Sequence, residues 1–207
     1  MRVDPNEFGY AGFHFSWGDH ICGIFDDRSQ QMEVMGAFIA TGISAGQRCV
    51  WVGPRESGDA LRSHLARIGG DLPTLEASSQ LLIISKVDFY LHEGVFDPER
   101  CLELLGTLLE DSRRGGYSTM RIVCDASWLQ RDRIVPELWE SFQSRLTQGI
   151  ARLPVVMVCQ AERRQFSSSL IVAALRTHPI VILGDVVRQN PFYMSGSAAS
   201  VESPDIM

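Results

Sequence analysis

The sequence predicts an α/β fold, a doubly wound and mostly parallel sheet layered between helices. Short apolar runs recur at 20–25, 48–52, 81–85, 120–125, 155–159 and 179–183. Stretches with apolar residues at helical spacing fill most of the intervals between them. Gly, Pro, Asp and Ser punctuate the junctions. Strands alternating with helices in this way form parallel sheets through right-handed crossovers.

Residues 1–19 form an N-terminal arm in which Phe13, Phe15 and Trp17 alternate with His14 and Ser16, as an edge strand or packed arm. Gly18-Asp19 turns the chain into a first strand over 20–25. Asp27 is suited to cap a helix over 28–44, with Gln30 as its capping-box partner. Met35, Phe38, Ile39 and Ile43 share one face of that helix. Gly46 ends it. A second strand at 48–52 ends in Gly53-Pro54, and a second helix covers 57–68 until Gly69-Gly70 stops it. The third strand, 81–85, is almost continuously apolar, as in strands covered on both faces. Residues 87–96 read as a loop or short helix.

Asp97-Pro98 begins a helix by its chemistry, Asp as N-cap and Pro at the first position. Leu102, Leu105, Leu108 and Leu109 make its apolar face, and Gly115-Gly116 close it. A fourth strand at 120–125 precedes a helix over 134–147. A fifth at 155–159 precedes one over 167–176. A sixth strand at 179–183 and an extended piece at 186–188 complete the sheet. Residues 1–194 read as one domain and 195–207, rich in Ser, Ala and Gly, as a loose tail.

The 207 residues are 45% hydrophobic and 21% charged, ordinary for one globular domain with a sizeable core. The net charge of −6 and the lack of a Lys/Arg run argue against direct nucleic-acid binding. No apolar run is long enough for a membrane span, and the first residues lack a secretory signal. Five cysteines without a close-spaced pair fit reduced thiols, and so a cytoplasmic protein.

Ligands of such sheets sit beyond the carboxyl ends of the strands. A phosphate loop needs glycines and a lysine there, but the first strand runs into Asp26-Asp27-Arg28. The one lysine, Lys86, follows a different strand. Two carboxylates at that junction are expected to repel a triphosphate. No Gly-x-Gly-x-x-Gly is present, and Gly42-Ile-Ser44-Ala-Gly46, the match to Gly-x-Ser-x-Gly, closes the helix over 28–44 instead of following a strand, so neither a dinucleotide fingerprint nor a hydrolase elbow anchors a reaction.

His20 and Cys22 face the same side of their strand. Three readings stay open: ligand contact, a metal or redox site shared with Cys124 or Cys159, or packing of a buried thiol beside a backbone-bonded His. Two ligands make no complete metal site, so no metal and no cofactor is expected. Phe25, Trp51, Phe89, Tyr90 and Trp128 can line an apolar pocket or simply pack beneath the loops. Asp125 can order a water, pair with an Arg, or cap its own turn.

His20-x-Cys22-x-x-Phe25, the stretch Tyr90-Leu-His-Glu-Gly94-Val-Phe-Asp97, the strand Arg121-Ile-Val-Cys-Asp-Ala-Ser-Trp128 and the closing Gly184-Asp-Val-Val-Arg-Gln-Asn-Pro-Phe-Tyr193 together resemble the MEDS sensory domain of methanogen and methylotroph regulators. The resemblance spans about residues 13–193. It implies a RecA/KaiC-like three-layer α/β/α fold without its Walker A loop. It also implies a non-enzymatic role in prokaryotic signal transduction, sensing small, uncharged hydrocarbon derivatives. His20 and Cys22 map onto the family's His-x-Cys motif, suggested to touch the ligand.

With that resemblance, the expected ligand-binding set is His20, Cys22, Phe25, Trp51, Tyr90, Asp125 and Trp128. Such domains usually accompany an output module. None is visible in this sequence, so a histidine kinase or transcription regulator acting in trans is expected to take the signal. Self-association, common among RecA-like proteins, makes a homo-oligomer a further expectation. Two alternatives remain: a protein-interaction regulator of a kinase or anti-sigma-type system with a vestigial pocket, and a metal or thiol redox sensor through His20 and Cys22.

Overall fold

The computed structural model describes residues 9–10, 13–184 and 186–195. Seven strands form the main sheet: β1 (His20–Phe25), β2 (Arg48–Gly53), β3 (Leu81–Ser85), β4 (Met120–Asp125), β5 (Val155–Glu162), β6 (Ile180–Leu183) and β7 (Val186–Gln189). Their spatial order is β7-β6-β1-β5-β4-β2-β3. All neighbours are parallel except β7, which returns antiparallel beside β6.

Helices cover both faces and make the three-layer α/β/α arrangement that the alternating pattern predicts. On one face lie α1 (Arg28–Ser44), α2 (Arg55–Arg67) and the short α3 (Leu72–Ala77). Phe38, Ile39, Leu61 and Leu65 pack there against Ile21, Phe25, Trp51 and Val158. The opposite face carries α4 (Lys86–Tyr90), α5 (Pro98–Arg114), α6 (Pro136–Ile150) and α7 (Ser168–Thr177). Leu105, Trp139, Phe142 and Leu170 pack there against Val50, Ile122, Met157 and Cys159. Strand residues alternate between these two cores because their side chains alternate across the sheet.

Local chemistry sets the boundaries. Asp27 accepts the Gln30 backbone N–H and caps α1, while the Gln30 side chain accepts from Asp26 rather than from Asp27. Asp97 caps α5 in the same way, with Pro98 in the first turn. Gly18 (φ +93°) turns the arm into β1, and a Cβ there would lie 2.4 Å from the Ala151 carbonyl oxygen. Phe13–His14 pairs antiparallel with Gly9–Tyr10, while Phe15 is buried and Trp17 packs on the α1 side of the sheet, so the arm is a short strand pair leading into a packed segment.

Several boundaries differ from expectation. Helix α2 begins at Arg55, two residues early, because Pro54 already sits at its N-cap. Helix α3, which the pattern does not show, is nucleated by Asp71, whose side chain holds the Thr74 backbone N–H and hydroxyl. Residues 86–96 fold as α4 followed by a hairpin pairing Leu91–His92 with Val95–Phe96. Helix α6 starts at Pro136 and continues to Ile150. Strand β3 is an edge strand. Its apolar run reflects helices on both faces, Leu82 and Ile84 facing one core and Ile83 the other. Most of the expected tail, 196–207, lies outside the described residues, as do 1–8.

Candidate functional site

Three pairs of neighbouring strands, β1/β5, β2/β4 and β2/β3, send their following helices to opposite faces. A crevice opens at the carboxyl end of a sheet where this happens. A cleft of about 520 Å³ lies there, lined by Arg28, Pro54, Arg55, Glu56, Ser85, Lys86, Val87, Ser127, Trp128, Arg131 and Gln165. Each segment is the first turn after a strand. Four cations and one carboxylate line it.

Both aspartates after β1 have partners within the fold. Asp26 pairs with Arg163 at 3.1 Å and Asp27 caps α1. Lys86 is held by Asp132 at 2.5 Å, with its ammonium 5.3 Å from the Trp128 ring centre. The stretch at 162–164 ends β5, supplies this Arg163 and leads to Gln165 at the cleft.

The expected ligand-binding residues do not converge. Trp128 alone of that set lines the cleft. Phe25 and Trp51 are fully buried beneath α1 and α2, and the Trp51 indole N–H donates to Ser57. Tyr90 is buried on the other face, stacked among Phe96, Trp128, Trp139 and Phe142. Burial and the surrounding thiols push its phenol well above the ordinary value. Asp125 accepts the Ser127 backbone N–H at 3.0 Å, so it caps its own turn. Cys22 packs against Ile24 and Ala174, and burial pushes its thiol up to about 12.

His20 begins β1, at the amino end of the sheet. The strand separates it from the carboxyl-end crevice by about 17 Å at roughly 3.3 Å per residue. Its ring lies 4.0 Å from that of His178, and its Nε2 is 3.4 Å from Cys159 Sγ. Burial, with the neighbouring His178, holds the His20 imidazole well below its ordinary value. Burial lowers His178 to about 4. The sequence reading missed His178. Its signal is a His just before a strand, but only the strand order puts that strand beside β1.

Buried polar atoms without a hydrogen-bond partner concentrate in these two regions. Among the described residues they include Trp128 Nε1, Gln165 Oε1, both ends of the Gln160 amide and Gln31 Nε2, all at the carboxyl end. Gln143 Nε2 and His178 Nε2 belong to the group around His20. Native cores satisfy nearly all such atoms, so each exception calls for a partner such as water, an ion or a ligand, or for local strain.

The family model described as MEDS, the "MEthanogen/methylotroph, DcmR Sensory domain", matches residues 19–179. The chain belongs to the MEDS family. It is 24% identical over 170 residues to the "Transcriptional repressor DcmR" of Methylorubrum extorquens (strain DSM 6343 / CIP 106787 / DM4). That match covers 81% of this chain and 61% of the repressor, so it spans about three fifths of the relative. The MEDS match runs from just before β1 to just before β6, so it takes in His20, the cleft and His178. A sensory and regulatory role follows from this membership. No described helix is long and apolar enough to cross a membrane.

Proposed function

We propose that this MEDS domain is a non-enzymatic receptor that binds a small organic molecule in the carboxyl-end cleft and passes its state to a transcription regulator or kinase. The observation that carries this reading is the unpartnered polar atoms on Trp128 and Gln165, which line a cleft at the switch of the sheet, with those of Gln31 and Gln160 buried near the same end. A ligand with hydrogen-bonding groups would satisfy them. The strand order β3-β2-β4-β5-β1-β6-β7 fits a RecA-like sheet that has exchanged its phosphate loop for Asp26-Asp27-Arg28, and we propose that descent for it.

Arg28, Arg55, Lys86 and Arg131 favour a ligand with an anionic or acceptor-rich end over the wholly uncharged hydrocarbon derivative that the resemblance implies. Trp128 and Val87 offer apolar surface to its carbon skeleton. The test is thermal denaturation with matched compounds, an alcohol, a ketone, a chloroalkane and a carboxylate on one short skeleton. A ligand at 100 times its Kd adds about 2.7 kcal/mol. In a domain of this size that raises Tm by about 5–11 °C. The carboxylate is expected to give the largest shift, and Lys86→Met with Arg131→Met to abolish it. Absence of a saturable shift with every compound refutes the receptor reading.

A further inference from the structure

We infer that His20, Cys159 and His178 form a buried transition-metal site of the zinc class, at the amino end of the sheet and separate from the cleft. One donor atom from each of the three lies within 4.8 Å of the others. All three residues are buried, at 0%, 5% and 1% exposure. They come from β1, from β5 and from the turn into β6, three strands that are neighbours in the sheet.

The hydrogen bonds fix which nitrogens are available. The Thr147 hydroxyl has a single hydrogen and two carbonyls to give it to, those of Gln143 at 2.9 Å and Thr177 at 2.7 Å. Towards His20 Nδ1, 2.7 Å away, the Thr147 oxygen therefore accepts. His20 carries its proton on Nδ1 and turns a lone pair on Nε2 towards Cys159. His178 Nδ1 lies 2.8 Å from the Ala174 carbonyl, which can only accept, so His178 is protonated on Nδ1 as well. Its Nε2 lone pair is buried and has no partner. Two imidazoles whose Nδ1–H groups are anchored to oxygen acceptors, with both Nε2 atoms free, reproduce the outer shell of metal-binding histidines.

Spacing agrees with a zinc-like ion. Metal–nitrogen and metal–sulfur bonds of ordinary length at a tetrahedral angle put the two ligand atoms about 3.6 Å apart. His20 Nε2 and Cys159 Sγ are 3.4 Å apart. Gln143 Oε1 stands 3.5 Å from the same sulfur and is placed to close the fourth position. Cys22 lies outside this group, so the site differs from the His-x-Cys pair that the sequence suggests.

The test uses the full chain, both native and refolded with metal, because a site this buried is filled most readily during folding. Co(II) is the probe, followed by Zn(II) competition. One equivalent of Co(II) with a thiolate-to-cobalt charge-transfer band, displaced by Zn(II), is expected. Cys159→Ser should lose that band, His178→Gln should weaken Co(II) binding at least tenfold, and Cys22→Ala should keep both. The proposal is overturned if the wild-type chain shows no band and retains no Zn(II) after dialysis. It is also overturned if the band survives Cys159→Ser or disappears in a folded Cys22→Ala. The wild-type measurement decides alone if Cys159→Ser does not fold.

Discussion

Acidification should destabilise this protein through His178, by an amount the structure fixes approximately. Burial lowers the imidazole in the folded state to about 4, against 6.5 for an ordinary histidine. Between those values the unfolded chain binds a proton that the folded chain refuses, so stability rises with pH there. The contribution is complete above about pH 6.5 and is lost as pH falls through about 4. From pH 7 to pH 5 the linkage integral comes to about 2 kcal/mol. His20, shifted in the same direction, adds to it. In a domain of this length, 2 kcal/mol corresponds to a fall in Tm of about 4–8 °C.

The assay is urea denaturation at pH 7, 6 and 5 in the presence of a chelator, on the wild-type chain and on His178→Gln. Other groups titrate in both proteins and cancel in the difference between them. The variant should lose about 2 kcal/mol less than the wild type across this range. Parallel losses in the two proteins would refute a buried, neutral His178.

The remaining predictions concern packing, capping and thiols. Gly58→Ala should destabilise by about 1–2 kcal/mol despite better helix propensity, because the new Cβ meets Ile83 Cγ2 at 2.5 Å. In the same denaturation assay Gly106→Ala, with nothing within 4 Å, should stabilise by about 0.5–1 kcal/mol. Asp27→Ala removes the α1 cap and should cost about 1 kcal/mol. All five cysteines are free and buried, and burial pushes Cys22 and Cys49 up to about 12. A thiol reagent at pH 8 should therefore label the native protein only at its unfolding rate, and all five thiols at once in denaturant.

The layer architecture was legible because period and punctuation act locally. Asp27 and Asp97 announce their helices by cap chemistry that needs no tertiary context. Strand order is different, since it depends on which apolar faces match in three dimensions. Hence the edge position of β3 was hidden, as was the meeting of His20 with His178, 158 positions apart. Charge partners are hidden for the same reason. Asp26 meets Arg163 only through the fold. Arg121 reads as one more polar residue in a strand, yet it is buried between Gln47 and the Phe38 carbonyl. Aromatic residues at strand ends suit a pocket or a core by sequence alone, and Phe25 and Trp51 fill a core that α1 and α2 close.

Gln160, near the carboxyl end of β5 and outside the cleft lining, tests whether the unpartnered atoms at this end are kept for a ligand or are only imperfect packing. Its amide is buried at 1% exposure, and neither its oxygen nor its nitrogen has a partner. A buried polar group left unpaired costs about 1–3 kcal/mol. If that cost is accepted for binding, Gln160→Leu should stabilise the free protein by about 1–3 kcal/mol, since an apolar side chain of similar size has nothing to leave unsatisfied. The same variant should lose the thermal shift given by the carboxylate probe. Residues kept for function commonly trade stability in this way. If instead ordered water bonds the amide, the substitution strands that water and the protein becomes less stable. Denaturant titration of the two free proteins separates these cases, and a less stable Gln160→Leu would refute the assignment of this side chain to the ligand.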